Sequence, residues 1–244
     1  MLIISLLLAI LIERFFPAPS EIIEVSLGKM LSFVKTKLNS GERVQAIISW
    51  FGVTFFMGLV GWLIWLVISL IHPILSLVFS IGVLYLSFGF GTFISRFNTI
   101  QKCIKNNQLE EARKHLHDWA TFVGSDQVVF ETAKSGDISS VSRETIRLAI
   151  LAAQRNFFGV VFWYIILPGP IGPIIYRVSV QALKSWDSDV EINTVKSEPE
   201  SLEDVLQSKS YSQNNTDHFC DISVKGFFWI DWVSSRVTAF IFAI

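Results

Sequence analysis

The apolar run at residues 46–71 most constrains the fold of this chain. It reads AIISWFGVTFFMGLVGWLIWLVISLI and contains no charged residue. A transmembrane helix needs about 20 consecutive apolar residues, so this run predicts a helix that crosses a bilayer. A second apolar run, residues 74–94, follows after only His72 and Pro73. The two runs together predict a tight pair of membrane helices.

The composition agrees with a membrane protein. Of the 244 residues, 51% are hydrophobic and only 17% are charged, and the mean hydropathy of +0.50 is well above that of ordinary soluble domains. The net charge of −1 gives no basic field that would attract nucleic acid. Cys103 and Cys220 lack the spacing of a metal site or a disulfide framework, so we expect free thiols. The lipid bilayer is therefore the expected partner, and nucleic acid is not.

Both ends of the chain are apolar. Residues 1–12 lack a basic start and a cleavage site, which favours a retained membrane helix over a signal peptide. Residues 227–244 form another apolar run that contains Asp231 and Arg236. The sequence predicts an all-α, polytopic integral membrane protein with about four to five membrane helices or half-helices.

Polar segments between these runs set the predicted domain boundaries. The basic residues are densest between residues 95 and 154, so the positive-inside rule assigns that helical segment to the cytoplasm and the N-terminus to the outside. A later segment rich in Ser, Asn, Asp and Glu predicts a disordered loop. The expected organisation is N-terminal membrane helices at 1–94 with an amphipathic segment at 20–38, a cytoplasmic helical segment at 95–154, a broken membrane segment at 155–186, a flexible polar loop at 187–226 and a C-terminal membrane segment at 227–244.

The stretch RNFFGVVFWYIILPGPIGPIIYR, residues 155–177, is long enough to span a bilayer, but it carries helix breakers in its second half. The structural break is predicted at Pro168, Gly169, Pro170, Gly172 and Pro173, because proline removes backbone donors and disfavours helix before it. Two topologies follow. A complete span would place loop 187–226 outside the cell, whereas a re-entrant segment would keep it in the cytoplasm. Broken backbone at membrane depth must be buried in protein or line a cavity, so we favour re-entry.

Charged residues near the membrane runs are the candidate functional residues. A charge in the bilayer is costly and therefore usually has a partner or a function, although snorkelling side chains at the interface are the alternative. We expect a cluster at the cytoplasmic membrane edge that binds an anionic or other small ligand. The predicted ligand-binding residues are Arg14, Asp126, Arg155, Tyr176, Arg177, Asp231 and Arg236. No phosphate-binding loop, nucleophile motif or zinc site is evident, so we predict no catalytic residue and no metal site.

Four motifs carry a family resemblance. The segments LLLAILIERFF, LEEARKHL, GVVFWYIILPGPIGPIIYR and WIDWVSSRVTA occur in the order found in the CobD/CbiB membrane family, the adenosylcobinamide-phosphate synthase superfamily, which this chain resembles. The resemblance retains Arg14, Asp126, Tyr176, Arg177, Trp232 and Arg236. Where the synthases carry acidic or amide residues, this chain has Leu151, Ala152, Phe227 and Phe228. It looks closer to the AmpE-like branch, on the residues ERFF at 13–16, Arg155 and DWV at 231–233.

This resemblance implies two main functions. The first is a non-enzymatic, AmpE-like sensor or accessory factor of the bacterial inner (plasma) membrane, acting in envelope or β-lactamase-type signalling without a cofactor. The alternative is cobalamin biosynthesis, with the chain as an ATP-dependent adenosylcobinamide-phosphate synthase, an amide ligase that would use ATP and Mg²⁺. The missing carboxylates disfavour that enzyme. A third possibility is a scaffold that binds a corrinoid ligand or a membrane partner protein without turnover.

Overall fold

A computed structural model describes residues 2–16, 20–38, 43–123, 127–195 and 218–243. Every regular element in these ranges is helical, which confirms the all-α prediction. The helices are α1 (Leu2–Phe15), α2 (Ser20–Leu38), α3 (Arg43–Ile71), α4 (Pro73–Ser87), α5 (Phe90–Lys105), α6 (Leu109–Val123), α7 (Gln127–Ser135), α8 (Ile138–Ala153), a π-helical turn (Gln154–Phe158), α9 (Gly159–Ile166), α10 (Ile171–Val195) and α11 (His218–Ala243).

Within the described residues, three helical paths are long and apolar enough to cross a membrane. They are Arg43–Ile71, Pro73–Lys105 and Ile138–Ile166. In the first of them only 17% of the most apolar window is buried inside the protein. Its large apolar side chains, including Phe55 and Leu70, are exposed on the outer surface. Such a surface is costly in water and favourable in lipid, so these helices are suited to the membrane environment that the sequence predicts.

The first pair of membrane helices joins through a single residue. α3 ends at Ile71 and α4 begins at Pro73. His72 caps α4, since its Nδ1 accepts the backbone N–H of Ile74 at 3.2 Å. Pro73 fits the first helical position, where its missing N–H has no partner to lose. The sequence His72-Pro73 therefore stops one membrane helix and starts the next.

The stretch at 155–177 folds back on itself. α8 continues through the π-helical turn into α9, which stops where Leu167 becomes extended at φ −95° and ψ 144°. Gly169 then has a φ of +69°, a left-handed conformation that other residues adopt at a cost. α10 starts at Ile171, so Pro173 lies in its first turn, where proline is tolerated. The chain thus reverses direction between α9 and α10.

Close packing holds this hairpin against α3. A Cβ on Gly159 would lie 2.1 Å from the Tyr176 ring, so α9 and α10 touch at that glycine. The turn lies beside Trp65, whose ring is 3.1 Å from a Cβ placed on Gly169. The Oδ1 of Asn156, next to one end of the stretch, is 2.9 Å from Arg177 at the other end. Both ends of the hairpin therefore lie at the same level of the molecule.

Helices α5 to α8 form a helical bundle beside the apolar helices. Their amphipathic faces enclose one apolar core, built from Ile100, Leu116, Trp119, Val129, Val141 and Leu148. The bundle begins where α4 ends at Ser87 and returns to the hairpin through the π-helical turn. It therefore connects at both ends with the same region of the membrane part.

The predicted loop at 187–226 is shorter than expected at both ends. α10 continues to Val195, and α11 starts at His218. Trp186 and Phe219 pack at a ring distance of 5.0 Å, and both side chains are buried. This apolar contact stabilises helix where the composition alone indicated a loop. The centre of the predicted loop lies outside the described residues.

Candidate functional site

A cluster of largely buried charged side chains lies where α2, α10 and the π-helical turn meet. The carboxylate of Glu24 lies 3.1 Å from the Nζ of Lys184 and 3.9 Å from an Nη of Arg177. The side chains of Glu24, Lys184 and Arg177 are only 16%, 18% and 11% exposed. Breaking a buried ion pair by removing one partner costs about 3–5 kcal/mol, so these three charges depend on one another.

Arg177 connects several helices at once. Its Nε donates to the carbonyl oxygen of Ser87 at the end of α4, and an Nη donates to Asn156 Oδ1 at 2.9 Å. Glu13 of α1 is 5% exposed and adds an electrostatic attraction. One guanidinium therefore joins α1, α2, α4 and the π-helical turn, which suits its several fixed donors.

α2 is held on α10 by contacts at this cluster and further along both helices. Gln181 Nε2 donates to the carbonyl oxygen of Glu24 at 2.9 Å. Further along, Lys35 Nζ donates to the carbonyl oxygen of Trp186 at 3.1 Å, and Trp186 Nε1 donates to that of Leu31 at 3.1 Å. α2 is thus an amphipathic helix that uses its polar side chains against α10.

The π-helical turn points three consecutive polar side chains to three different partners. Gln154 donates to Ser234 of α11 at 3.1 Å, and Arg155 donates to the carbonyl oxygen of Val123 in the bundle at 3.1 Å. Asn156 accepts from Arg177 of the hairpin. Turns of this type occur frequently at functional sites, because they redirect side chains within a helix. The turn therefore links the bundle, the hairpin and α11.

A second polar group surrounds Asp231 of α11. Its Oδ1 accepts from the buried hydroxyl of Tyr176 at 2.8 Å and from Ser234 Oγ at 3.1 Å. Its Oδ2 accepts from Ser235 Oγ at 3.1 Å. Gln154 Nε2 adds a weaker contact at 3.5 Å. The carboxylate is thus held by uncharged donors, and Tyr176 lies next to Arg177 between the two groups.

The cavity beside Glu24 is small and rich in cations. Its volume is about 20 Å³, room for about one water molecule. Among the lining residues are three cations, Arg96, Arg155 and Lys184, and one carboxylate, that of Glu24. The excess of positive charge favours the binding of an anion. The cavity is too small to admit one, however, unless a side chain that lines it moves.

Four of the predicted binding residues come together, and two do not. Tyr176, Arg177 and Asp231 belong to the two polar groups described above, and Arg155 lines the cavity beside Glu24. Arg14 is exposed at the end of α1. Arg236 is exposed too, with its guanidinium 5.6 Å from the centre of the Trp232 ring. The seventh prediction, Asp126, lies outside the described residues.

The residues of the predicted break lie partly in a turn and partly at the start of a helix. Pro168, Gly169 and Pro170 form the turn between α9 and α10. Gly172 and Pro173 belong to the first turn of α10. A Cβ on Gly172 would lie 2.1 Å from the carbonyl oxygen of Trp163, so the glycine lets the two helices approach closely.

Glu24 and Lys184 were missed by the sequence reasoning. Their positions are 160 residues apart, and nothing local reveals a contact over that distance. One signal was present in α2, where Glu24, Gly28, Leu31 and Lys35 recur at helical spacing. This stripe is the face that touches α10, and its glycine lies against Gln181 and Ser185.

Within the described residues, no three His, Cys, Asp or Glu side chains converge in a way that could hold a metal ion. Phosphate chemistry with Mg²⁺ would need carboxylates grouped together. Glu24 and Asp231 instead each engage their own donors, in separate groups.

The fold and this site define a helical membrane protein with a buried ionic cluster where its membrane helices meet a helical bundle. The family model of AmpE, described as a regulatory signalling modulator protein, matches residues 1–201, so the chain belongs to the AmpE family. No curated protein and no solved structure matches the chain. α11, which carries Asp231, lies beyond the matched region.

Proposed function

We propose that this protein is a non-enzymatic signalling modulator of the bacterial inner membrane, and that its Glu24 cluster responds to an anionic ligand. The description of its family as a regulatory signalling modulator supports the general role. The envelope, including β-lactamase-type regulation, is the proposed setting. The ligand is proposed to be a small anion bearing a carboxylate or phosphate group.

The observation that carries this proposal is the sharing of one buried carboxylate by two cations. Glu24 accepts from Lys184 and pairs with Arg177, and the adjoining cavity holds about one water. An incoming anion must therefore displace the Glu24 carboxylate rather than bind beside it. Carboxylate and phosphate groups both match the donors of arginine and lysine. In this proposal, Glu24 acts as an internal anion that holds the site closed.

Displacement of Glu24 has consequences on both sides of the cluster. α2 would lose its ionic contact with α10, and Arg177 would turn toward the new anion. Arg177 is bonded to Asn156, and the neighbouring Arg155 is bonded to Val123 of the bundle. A change at Arg177 therefore reaches the bundle through two adjacent residues, which is the kind of discrete, contiguous coupling that a switch needs.

The test is a folded variant that lacks the charges of Glu24 and Lys184. We would make Glu24→Gln with Lys184→Met, because uncharged replacements of similar volume at a buried ion pair are often neutral or stabilising. The matched control is Asp221→Asn with Lys225→Met, which removes a paired but solvent-exposed carboxylate and ammonium. Both variants would replace the native gene, and the readout is the response of a β-lactamase or envelope-stress reporter to its inducer.

We expect the Glu24/Lys184 variant to reach normal membrane levels and to lose the difference between induced and uninduced reporter activity. The Asp221/Lys225 control should respond like the wild type, because exposed pairs contribute little. A normal response from a Glu24/Lys184 variant at normal levels would show that the cluster is only structural. No observation on the described residues favours the amide-ligase alternative.

A further inference from the structure

A large cavity borders the π-helical turn at Gln154, Arg155 and Phe158. It measures about 840 Å³ and runs between α8 and the C-terminal half of α11. This size is within the range of about 300–1,000 Å³ that is typical of ligand sites. Its walls are mainly apolar side chains, from Leu148, Ile150, Leu151, Phe158, Ala239 and Phe242.

Polar groups are also present in this cavity. Arg147 of α8 lines it, together with Ser235 and Thr238 of α11. The Arg147 side chain is 52% exposed, and one Nη lies 3.4 Å from a carboxylate oxygen of Glu144. Arg147 is therefore accessible at the cavity while it pairs with Glu144. Apolar walls together with an accessible cation match an amphiphile with an anionic head.

The cavity opens toward the surface that faces lipid. One wall belongs to Ile138–Ile166, a path long and apolar enough to span a membrane. Ile146 and Ile150 on this path are 54% and 67% exposed, and Phe242 across the cavity is 71% exposed. These side chains would be poorly placed in water, so the medium at the cavity mouth is the bilayer.

We propose that this cavity binds one acyl chain of an anionic membrane phospholipid, with the lipid phosphate at Arg147. The positive charge of Arg147 in the lining favours an anionic over a zwitterionic head group, since Arg is well suited to phosphate. Asp231 at the cavity wall is held by Tyr176 and Ser235, so its carboxylate already has donors. This cavity is separate from the one beside Glu24, although Arg155 lines both.

The experiment is native mass spectrometry of the full chain released from nanodiscs of mixed phosphatidylglycerol and phosphatidylcholine. We expect one retained phosphatidylglycerol per chain. Ala239→Trp fills the cavity from α11 and should lower this retention at least tenfold. Ala243→Trp, on the same helix but outside the lining, should retain lipid like the wild type, because both alanines are exposed and tolerate a larger side chain.

The head group is tested with a second pair of variants on α8. Arg147→Gln should remove the preference for phosphatidylglycerol over phosphatidylcholine, whereas Arg143→Gln, one turn away and exposed outside the lining, should leave it intact. Absence of retained lipid, or equal retention by Ala239→Trp and the wild type, would overturn the acyl-chain site. An unchanged preference in Arg147→Gln would overturn the role of the arginine.

Discussion

Asp231 and Tyr176 show how single residues hold the membrane part together. Their hydrogen bond of 2.8 Å links α10 to α11 and joins a carboxylate to a buried phenol. Elsewhere in the membrane part, Tyr164 and Ser5 share a buried bond of 2.6 Å between two neutral hydroxyls. The two tyrosines provide a comparison between a charged and an uncharged acceptor in similar surroundings.

Tyr176→Phe should destabilise the protein more than Tyr164→Phe. Hydrogen bonds to charged groups contribute about 1.5–3 kcal/mol to stability, against about 0.5–1.5 kcal/mol for neutral ones. The measurement is the free energy of unfolding of each variant in mixed micelles. Equal losses for the two variants would show that the carboxylate of Asp231 adds nothing to the bond.

Asp137 gives a pH-dependent contribution outside the membrane. Hydrogen bonds from Ser140 and Ser139 lower the pKa of this exposed carboxyl from 3.8 to about 2, and the side chain caps α8. Because the folded-state pKa is depressed, its stabilising effect is complete above pH 3.8 and is lost as the pH falls through about 2. Asn keeps the capping geometry without the charge.

Wild type and Asp137→Asn should therefore differ in stability by less at pH 2 than at pH 5. The measurement is the melting temperature of both proteins, followed by circular dichroism over this pH interval. A difference between the two that stays constant down to pH 2 would contradict the lowered pKa of Asp137.

At the level of elements, the turn between α9 and α10 was predictable and the π-helical turn was not. Three prolines and two glycines in close succession exclude a regular helix, so Pro168 to Pro173 indicated a break without any tertiary information. The sequence QRNFF at Gln154–Phe158 contains no helix breaker, so it does not predict a π-helical turn. Its wider turn depends on bonds to Val123, Arg177 and Ser234, which are distant in sequence.

Gly169→Ala should destabilise the hairpin, and Gly82→Ala should stabilise the protein. At Gly169 the left-handed φ of +69° costs a residue with a Cβ about 1–2 kcal/mol, and the ring of Trp65 is already close. Gly82 lies within α4, where a Cβ meets nothing within 4 Å, so alanine gains about 0.5–1 kcal/mol of helix stability. If the two substitutions changed the free energy of unfolding in the same direction, the turn geometry would be contradicted.

At the scale of the whole molecule, the contacts show which parts of the protein lie toward each of its two ends. Trp65, next to the hairpin turn, and His72 lie toward one end. The bundle lies toward the other end, as does the start of α11, where Asp221 is within electrostatic reach of Arg43 at the start of α3. The apolar runs and the breaker-rich hairpin were predictable from sequence, but the joining of these parts at Glu24 depends on side chains 160 residues apart.

Labelling of single cysteines tests this arrangement. In a background with Cys103→Ala and Cys220→Ser, we expect Lys114→Cys in the bundle and Lys225→Cys in α11 to react with a membrane-impermeant thiol reagent from the same side. His72→Cys should react only from the opposite side. All three positions are exposed. Labelling of Lys225→Cys from the same side as His72→Cys would show that residues 155–177 cross the membrane completely.

The central claim is that Glu24 holds α2 on α10 as an internal anion. The most direct measurement is hydrogen–deuterium exchange of Ser20–Leu38 in nanodiscs, for the wild type, Glu24→Gln and the exposed control Lys37→Gln. We predict exchange in α2 at least tenfold faster in Glu24→Gln, with the bundle unchanged and Lys37→Gln like the wild type. Exchange in α2 of Glu24→Gln as slow as in the wild type would contradict the account.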